Sequence, residues 1–211
     1  MNTIGIQASS TKVRTSSTGM RTSSTERSTS WTTVACVGGL LLLAGCGMMP
    51  SLSIGLMPRT SVPAEIAAGP DERLALIGIA SGVQVYRCDV KAGAGTPTTY
   101  EWALQAPEAT MRDPGGRYLG KHYLGPTWEA EDGSKVVGTV DARRDASNGS
   151  IPWLRLKARS IGGAGTFNGV TTVLRVATTG GVPLAASCNE LERGRITRIE
   201  YAADYYFYVK R

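Results

Sequence analysis

The sequence has a single histidine, His122, and that scarcity removes whole classes of chemistry. A two-histidine zinc motif, a facial iron triad and a haem held by two imidazoles each need more than one, so only single-histidine ligation is left. The four cysteines form no CxxC pair, and a zinc cage therefore lacks ligands at a workable spacing. No GxSxG occurs, so the strained elbow that presents a hydrolase serine is missing. Gly162-Gly163-Ala164-Gly165 fits neither phosphate-binding pattern. Accordingly, no metal and no cofactor are expected. Helix-favouring runs are scarce while glycine is abundant at 26 residues, which shifts the expectation to strands and turns. No apolar run reaches the roughly 20 residues of a membrane-spanning helix.

The positive charge is smaller than it looks. Of the formal +6, Lys12, Arg14, Arg21 and Arg27 against Glu26 place +3 in the first 45 residues and leave +3 for the remainder. That is ordinary for a soluble domain and gives no footing for a nucleic-acid partner.

What is present begins with a leader. A basic, Ser/Thr-rich stretch precedes the short apolar run from Val34 to Ala44, the pattern of a secretory signal. Leu43-Ala44-Gly45-Cys46 resembles the bacterial lipobox. The resemblance implies diacylglycerol on the Cys46 sulfur, cleavage before it and acylation of the new amino terminus. Two or more acyl chains anchor stably where one is marginal, so the membrane is the expected partner of Cys46. Gly47 in place of aspartate implies sorting to the outer membrane, facing the periplasm. The alternative is an ordinary signal peptide that happens to contain a cysteine. A start at Met20 would shorten the leader and leave the same mature chain. Residues 46–72, with Pro50, Pro58, Pro63 and Pro70, read as a tether, or else as a short packed segment carrying Leu52, Ile54, Leu56 and Ile66. The expected organisation is thus a signal segment over 1–45, a tether over 46–72 and one domain over 73–211.

The body alternates with a period of two. Leu74–Ala80 is a short apolar run, Ser81-Gly82 reads as a turn, and Val83–Cys88 is β-rich. Tyr100, Trp102, Leu104 and Ala106 alternate with Glu101, Ala103 and Gln105, and Pro107 is expected to close that strand. Asp132-Gly133 favours a two-residue hairpin pairing Glu131 with Ser134, Ala130 with Lys135, Glu129 with Val136 and Trp128 with Val137. Asn148-Gly149 marks a second turn. Trp153, Arg155, Lys157 and Arg159 form a basic stripe opposite Leu154, Leu156 and Ala158, suited to an anionic ligand or to a solvated face. Val170–Thr178 and the tyrosine-rich segment from Arg195 to Val209 are further strands, the latter expected in the core. Eight to ten short strands and no amphipathic helix predict an all-β fold, an antiparallel β-barrel or β-sandwich. In an oxidising compartment Cys88 and Cys188 are the obvious disulfide, while in a reducing one they would be buried thiols.

Gly82–Cys88, Trp102–Ala109, Gly120–Ser134, Ile151–Leu154 and Tyr201–Tyr208, in that order, resemble a family catalogued as domain of unknown function 3455. The resemblance covers roughly Leu76 to Tyr208. It implies a secreted protein and supplies no catalytic residue.

Candidate chemistry gathers in Gly120–Ser134. His122 could act as a base with Glu129 or Asp132 as acid partners, which would make an extracytoplasmic hydrolase of envelope polysaccharide or peptide. His122, Tyr123, Trp128 and Glu129 could instead bind a glycan, lipid or small molecule. A third reading is structural, with His122 and Tyr123 fixing the Gly125-Pro126 corner and Trp128 filling core. The expectation adopted is a lipid-anchored binding or envelope-associated module without catalysis.

Overall fold

The alternating residues resolve into eight antiparallel strands, and the computed structural model describes residues 56–93 and 96–211. The strands are β1 (Glu72–Val90), β2 (Tyr100–Arg112), β3 (Tyr118–Tyr123), β4 (Thr127–Ala130), β5 (Lys135–Arg144), β6 (Trp153–Ile161), β7 (Val170–Gly180) and β8 (Ile196–Lys210). Each pairs with its neighbour in sequence, and β8 returns to β1, so the sheet closes as a barrel. Closure selects the barrel over the sandwich and removes the outer edges an open sheet would expose. The signal segment, Cys46 and the first part of the tether lie outside the described residues. Among the described residues no helix is long and apolar enough to cross a membrane.

Several strands are longer than expected because two apparent terminators sit inside them. Ser81-Gly82 is not a turn: β1 runs through it, paired with Thr110 and Ala109 of β2 on one side and with Ala202 and Tyr201 of β8 on the other. Gly82 serves close approach instead. A Cβ there would stand 2.5 Å from Ala109 Cα and nearer still to Glu108 O. Pro107 likewise lies within β2, paired with Gln84. It is tolerated because β3 pairs only from Ala109 onward, so that flank of β2 needs no N–H from residue 107. Gly82→Ala is expected to cost at least the roughly 1–3 kcal/mol of an overpacked core, since backbone rather than a side-chain tip must yield. A denaturation midpoint equal to wild type would contradict this close approach.

The barrel has an inner and an outer core. Met111, Trp128, Val136, Leu156, Phe167, Val173, Tyr205 and Phe207 are buried inside. Ile77, Leu174, Val176 and Tyr206 face outward and are covered by Ile66 and Val62. The tether expectation therefore needs correction over its second half. Ile66, in a short 3-10 turn (Ala64–Ile66), is fully buried. Thr60 N donates to Tyr206 Oη at 2.9 Å, and Arg155 donates to Ala67 O at 2.9 Å. An isoleucine side chain so buried contributes on the order of 1.5–3 kcal/mol, enough to hold a short strap in place. The basic stripe stays on the outer face, where Lys157 and Arg159 are exposed and only Trp153 and Arg155 meet the strap. Trp153 packs beneath it, while Arg155 and Lys157 share Asp141 at 2.7 and 2.9 Å.

Candidate functional site

The hairpin between β4 and β5 is shifted by one residue from its expected register. Thr127 pairs with Val137, Trp128 with Val136 and Glu129 with Lys135. The loop is three residues long, not two, because Asp132 is drawn into bonds of its own. Its carboxylate accepts from Ser134 N at 2.9 Å, Ser134 Oγ at 2.6 Å, Thr166 N at 2.7 Å and Thr166 Oγ1 at 2.8 Å. Gly133 takes the left-handed position (φ 82°) that ends such a loop. The slip brings Trp128 and Val136 together on the inner face and explains why Val136 is wholly buried. Four donors hold the Asp132 carboxyl well below its usual range, the Ser134 hydroxyl most of all. Asp132 thereby fastens the 162–169 loop that seats Phe167, fully buried, at the lower end of the barrel.

His122 on β3 pairs with Trp128 on β4, and both side chains turn inward. The imidazole lies flat on the indole, with centroids 4.5 Å apart and planes 8° apart, and Tyr205 meets it edge-on at 5.0 Å. Gly138 makes room for the indole, since a Cβ there would come within 3.1 Å of Trp128 Cζ3. His122 Nδ1 stands 2.9 Å from Thr127 O. A carbonyl only accepts, so Nδ1 carries the proton and Nε2 of the neutral ring keeps its lone pair. Burial pushes the His122 pKa down to about 3; the bond to Thr127 opposes this and the Arg175 charge adds to it.

Above this aromatic layer the barrel is open. His122, Trp128 and Tyr205 form part of the lining of a cavity of about 910 Å³, bounded by the β1–β2, β3–β4, β5–β6 and β7–β8 connections at one end. Eight strands suffice to enclose one small ligand when side chains leave the interior unfilled. Leu154, Leu156 and Ile151 supply apolar wall, and the rim carries Leu104, Leu124, Val140 and Val182, each more than half exposed. Tyr100, Trp102 and Leu104 thus line an open mouth, and a bulge at Gln105 breaks the expected alternation before Ala106. The wall formed by Val182, Pro183 and Ala185 is held by the Cys88–Cys188 disulfide, and Trp102 Nε1 donates to Leu184 O at 3.2 Å and Ser187 Oγ at 3.1 Å.

A model of the family described as "Protein of unknown function (DUF3455)" matches residues 69–209. The chain belongs to that family. No curated protein and no solved structure matches it. The matched span begins three residues before β1 and takes in all eight strands but the last residue of β8, so the DUF3455 domain and the barrel coincide.

Within this DUF3455 domain the expected site residues separate. His122 and Trp128 reach the cavity, whereas Tyr123 and Glu129 point outward from the same two strands. There Tyr123 Oη donates to Glu129 at 2.7 Å, with Lys135 at 3.4 Å and Lys121 at 3.8 Å. The Tyr123 hydroxyl, then the lysines, hold the Glu129 carboxyl below its usual range. His122, Glu129 and Asp132 therefore do not share a site: one faces in, one faces out, and one closes a loop at the far end of β4. The residue that sequence reasoning passed over is Arg175. It sits opposite Leu154 and Tyr205, on the inner face. Its signal was a lone charge inside the apolar run Val173-Leu174-Arg175-Val176.

Proposed function

We propose that this protein is a binding module of the bacterial envelope, anchored through lipid on Cys46 at the outer membrane and taking a small ligand into its barrel mouth. One observation carries the reading. Gln84 Nε2, Trp128 Nε1 and Tyr205 Oη belong to cavity-lining residues, are sealed from solvent and make no close hydrogen bond within the protein, though Tyr205 Oη stands beside Tyr201 and Arg175; a fourth such group, Tyr201 Oη, lies outside the lining. A buried donor left unbonded costs about 1–3 kcal/mol, so three around one cavity favour an occupant that brings acceptors. Each has almost no accessible surface in this structure, so a ligand bonds to it only by parting the aromatic floor. Largely apolar walls with a few convergent polar groups are the usual make-up of small-molecule sites. The lipobox resemblance and the basic leader support the compartment, and the disulfide accords with an oxidising one.

Two measurements test this reading. Cys46→Ser is expected to move the protein out of the membrane fraction and abolish incorporation of a fatty-acid label; unchanged labelling would remove the anchor from the proposal. A thermal-shift screen of the mature domain against glycans, lipids and small organic acids should yield stabilising compounds. At about 100 times Kd the expected gain is ~2.7 kcal/mol. Trp128→Phe, which deletes only the indole donor and part of the ring, should weaken every such hit. A screen in which no class of compound shifts the transition would sink the binding reading.

A further inference from the structure

The polar groups facing the cavity are one-sided. Trp128 Nε1 can only donate and Gln84 Nε2 is a second donor, both buried without a protein partner, while the buried Tyr205 Oη can donate or accept and stands beside Arg175 and Tyr201. Arg175 adds a full positive charge on the same inner face. Its Nε donates to Pro152 O at 3.0 Å, and among the described residues no carboxylate pairs with the guanidinium. Its charge acts on Tyr86, His122 and Tyr205, each of which lines the cavity. The acceptors on the aromatic floor are the His122 Nε2 lone pair and the Tyr205 hydroxyl oxygen. The single carboxylate of the lining is the exposed Glu101, and the lining also carries Lys91 and Arg143. A cationic ligand would find only the exposed Glu101 to neutralise it, and a wholly apolar one would leave the Arg175 guanidinium dry.

We propose that the cavity takes an amphiphilic carboxylate, head inward. This rests on the small-ligand reading above and specifies its chemistry. The carboxylate lies on the two Nη groups left free by Arg175, with Tyr205 and Trp128 donating from the floor, a planar pairing that arginine suits. The hydrocarbon runs along Leu154 and Leu156 and leaves past the exposed rim of Leu104, Leu124, Val140 and Val182. That rim, apolar yet open to solvent, is explained by a tail that passes through it.

The test is a fluorescence titration of the mature, disulfide-bonded domain with dansyl-labelled undecanoate. The same chain ending in an alcohol, and in a trimethylammonium group, serve as head-group controls. The carboxylate is expected to bind on the order of 10–100-fold more tightly than the alcohol, as one charged hydrogen-bonded pair allows. Arg175→Met should erase that preference while leaving the alcohol's affinity within about twofold, and Arg175→Lys should restore part of it. Tyr205→Phe removes a hydroxyl that stands beside Arg175 and Tyr201 and leaves the buried ring in place, so it keeps the test alive should the arginine variants misfold. It should weaken the carboxylate alone, by several-fold. Equal affinity for all three head groups, or a carboxylate affinity indifferent to both Arg175→Met and Tyr205→Phe, would overturn the head-group assignment and leave cavity binding intact. Failure of every probe to bind wild type would overturn both.

Discussion

Reducing the Cys88–Cys188 bond is expected to lower the stability of the domain by up to about 4.7 kcal/mol, the loop-entropy value for a closed span of about 100 residues, and the observed separation is 100. Against a typical total of 5–15 kcal/mol, this is a large share. The start of the β7–β8 connection is held by Tyr86 Oη donating to Gly181 O at 2.6 Å, and few bonds fasten it near Cys188. Cys88 N donates to Arg195 O at 2.9 Å and Gly194 N to Cys88 O at 2.8 Å, while the Trp102 bonds are exposed. The same connection supplies Val182, Pro183 and Ala185 to the cavity wall. Reduction should therefore reach function as well as stability, weakening any ligand held at the mouth. Urea titrations of the oxidised domain, the reduced domain and the Cys88→Ser/Cys188→Ser variant should place the last two together, well below the first. Coincident midpoints for all three would show that the bridge adds nothing beyond the barrel's own pairing.

Acid should destabilise the protein well before its carboxylates titrate, and His122 is the cause. Unfolded, the imidazole takes a proton near 6.5; folded, it does so only near about 3. Above pH 6.5 both states hold it neutral and its contribution is complete. As pH falls from there, the unfolded state gains a proton that the folded state refuses, and stability declines. The loss is about 2 kcal/mol by pH 5 and on the order of 5 kcal/mol near pH 3. Asp132, Glu129 and Asp141, whose carboxyls are held below their usual range, lose stability in the same direction but in a lower window. Asp204, raised by burial, acts in the opposite sense. His122→Asn keeps a donor near the Nδ1 position for Thr127 O and cannot ionise. In denaturation measured across pH 5 to 7, the variant should be nearly flat where wild type slopes. A wild type as flat as the variant would mean that the imidazole reaches water and is not sealed against Trp128 and Tyr205.

Local periodicity and local turn chemistry were legible in the chain without coordinates. The alternation in Tyr100–Leu104 and Trp153–Arg159, the Asn148-Gly149 turn and the aromatic run Tyr201–Tyr208 all sit in or between strands, as their patterns predict. So does the choice of cysteines, since only Cys88 and Cys188 lie in the body of the chain. These features depend on residues a few positions apart, or on elimination, and need no knowledge of what lies across the sheet.

What only the tertiary structure decided is everything that depends on a distant partner. Gly82 looks like a turn until β2 crosses it, and Pro107 looks like an end until β3 leaves its flank unpaired. The hairpin moved by one residue because Asp132 found Thr166, 34 positions away, and a one-residue slip exchanges the faces of a strand. That exchange placed Trp128 and Val136 together inside and gave Glu129 its partner Lys135 outside. Closure did the rest. By pairing β8 with β1 and with β7, it set Tyr205 beside Arg175, turning a lone arginine in an apolar strand into the charge at the heart of the cavity. Sequence determined the residues' faces by period; the closed sheet determined which residues those faces meet, because register and enclosure are properties of pairs of strands and not of any one.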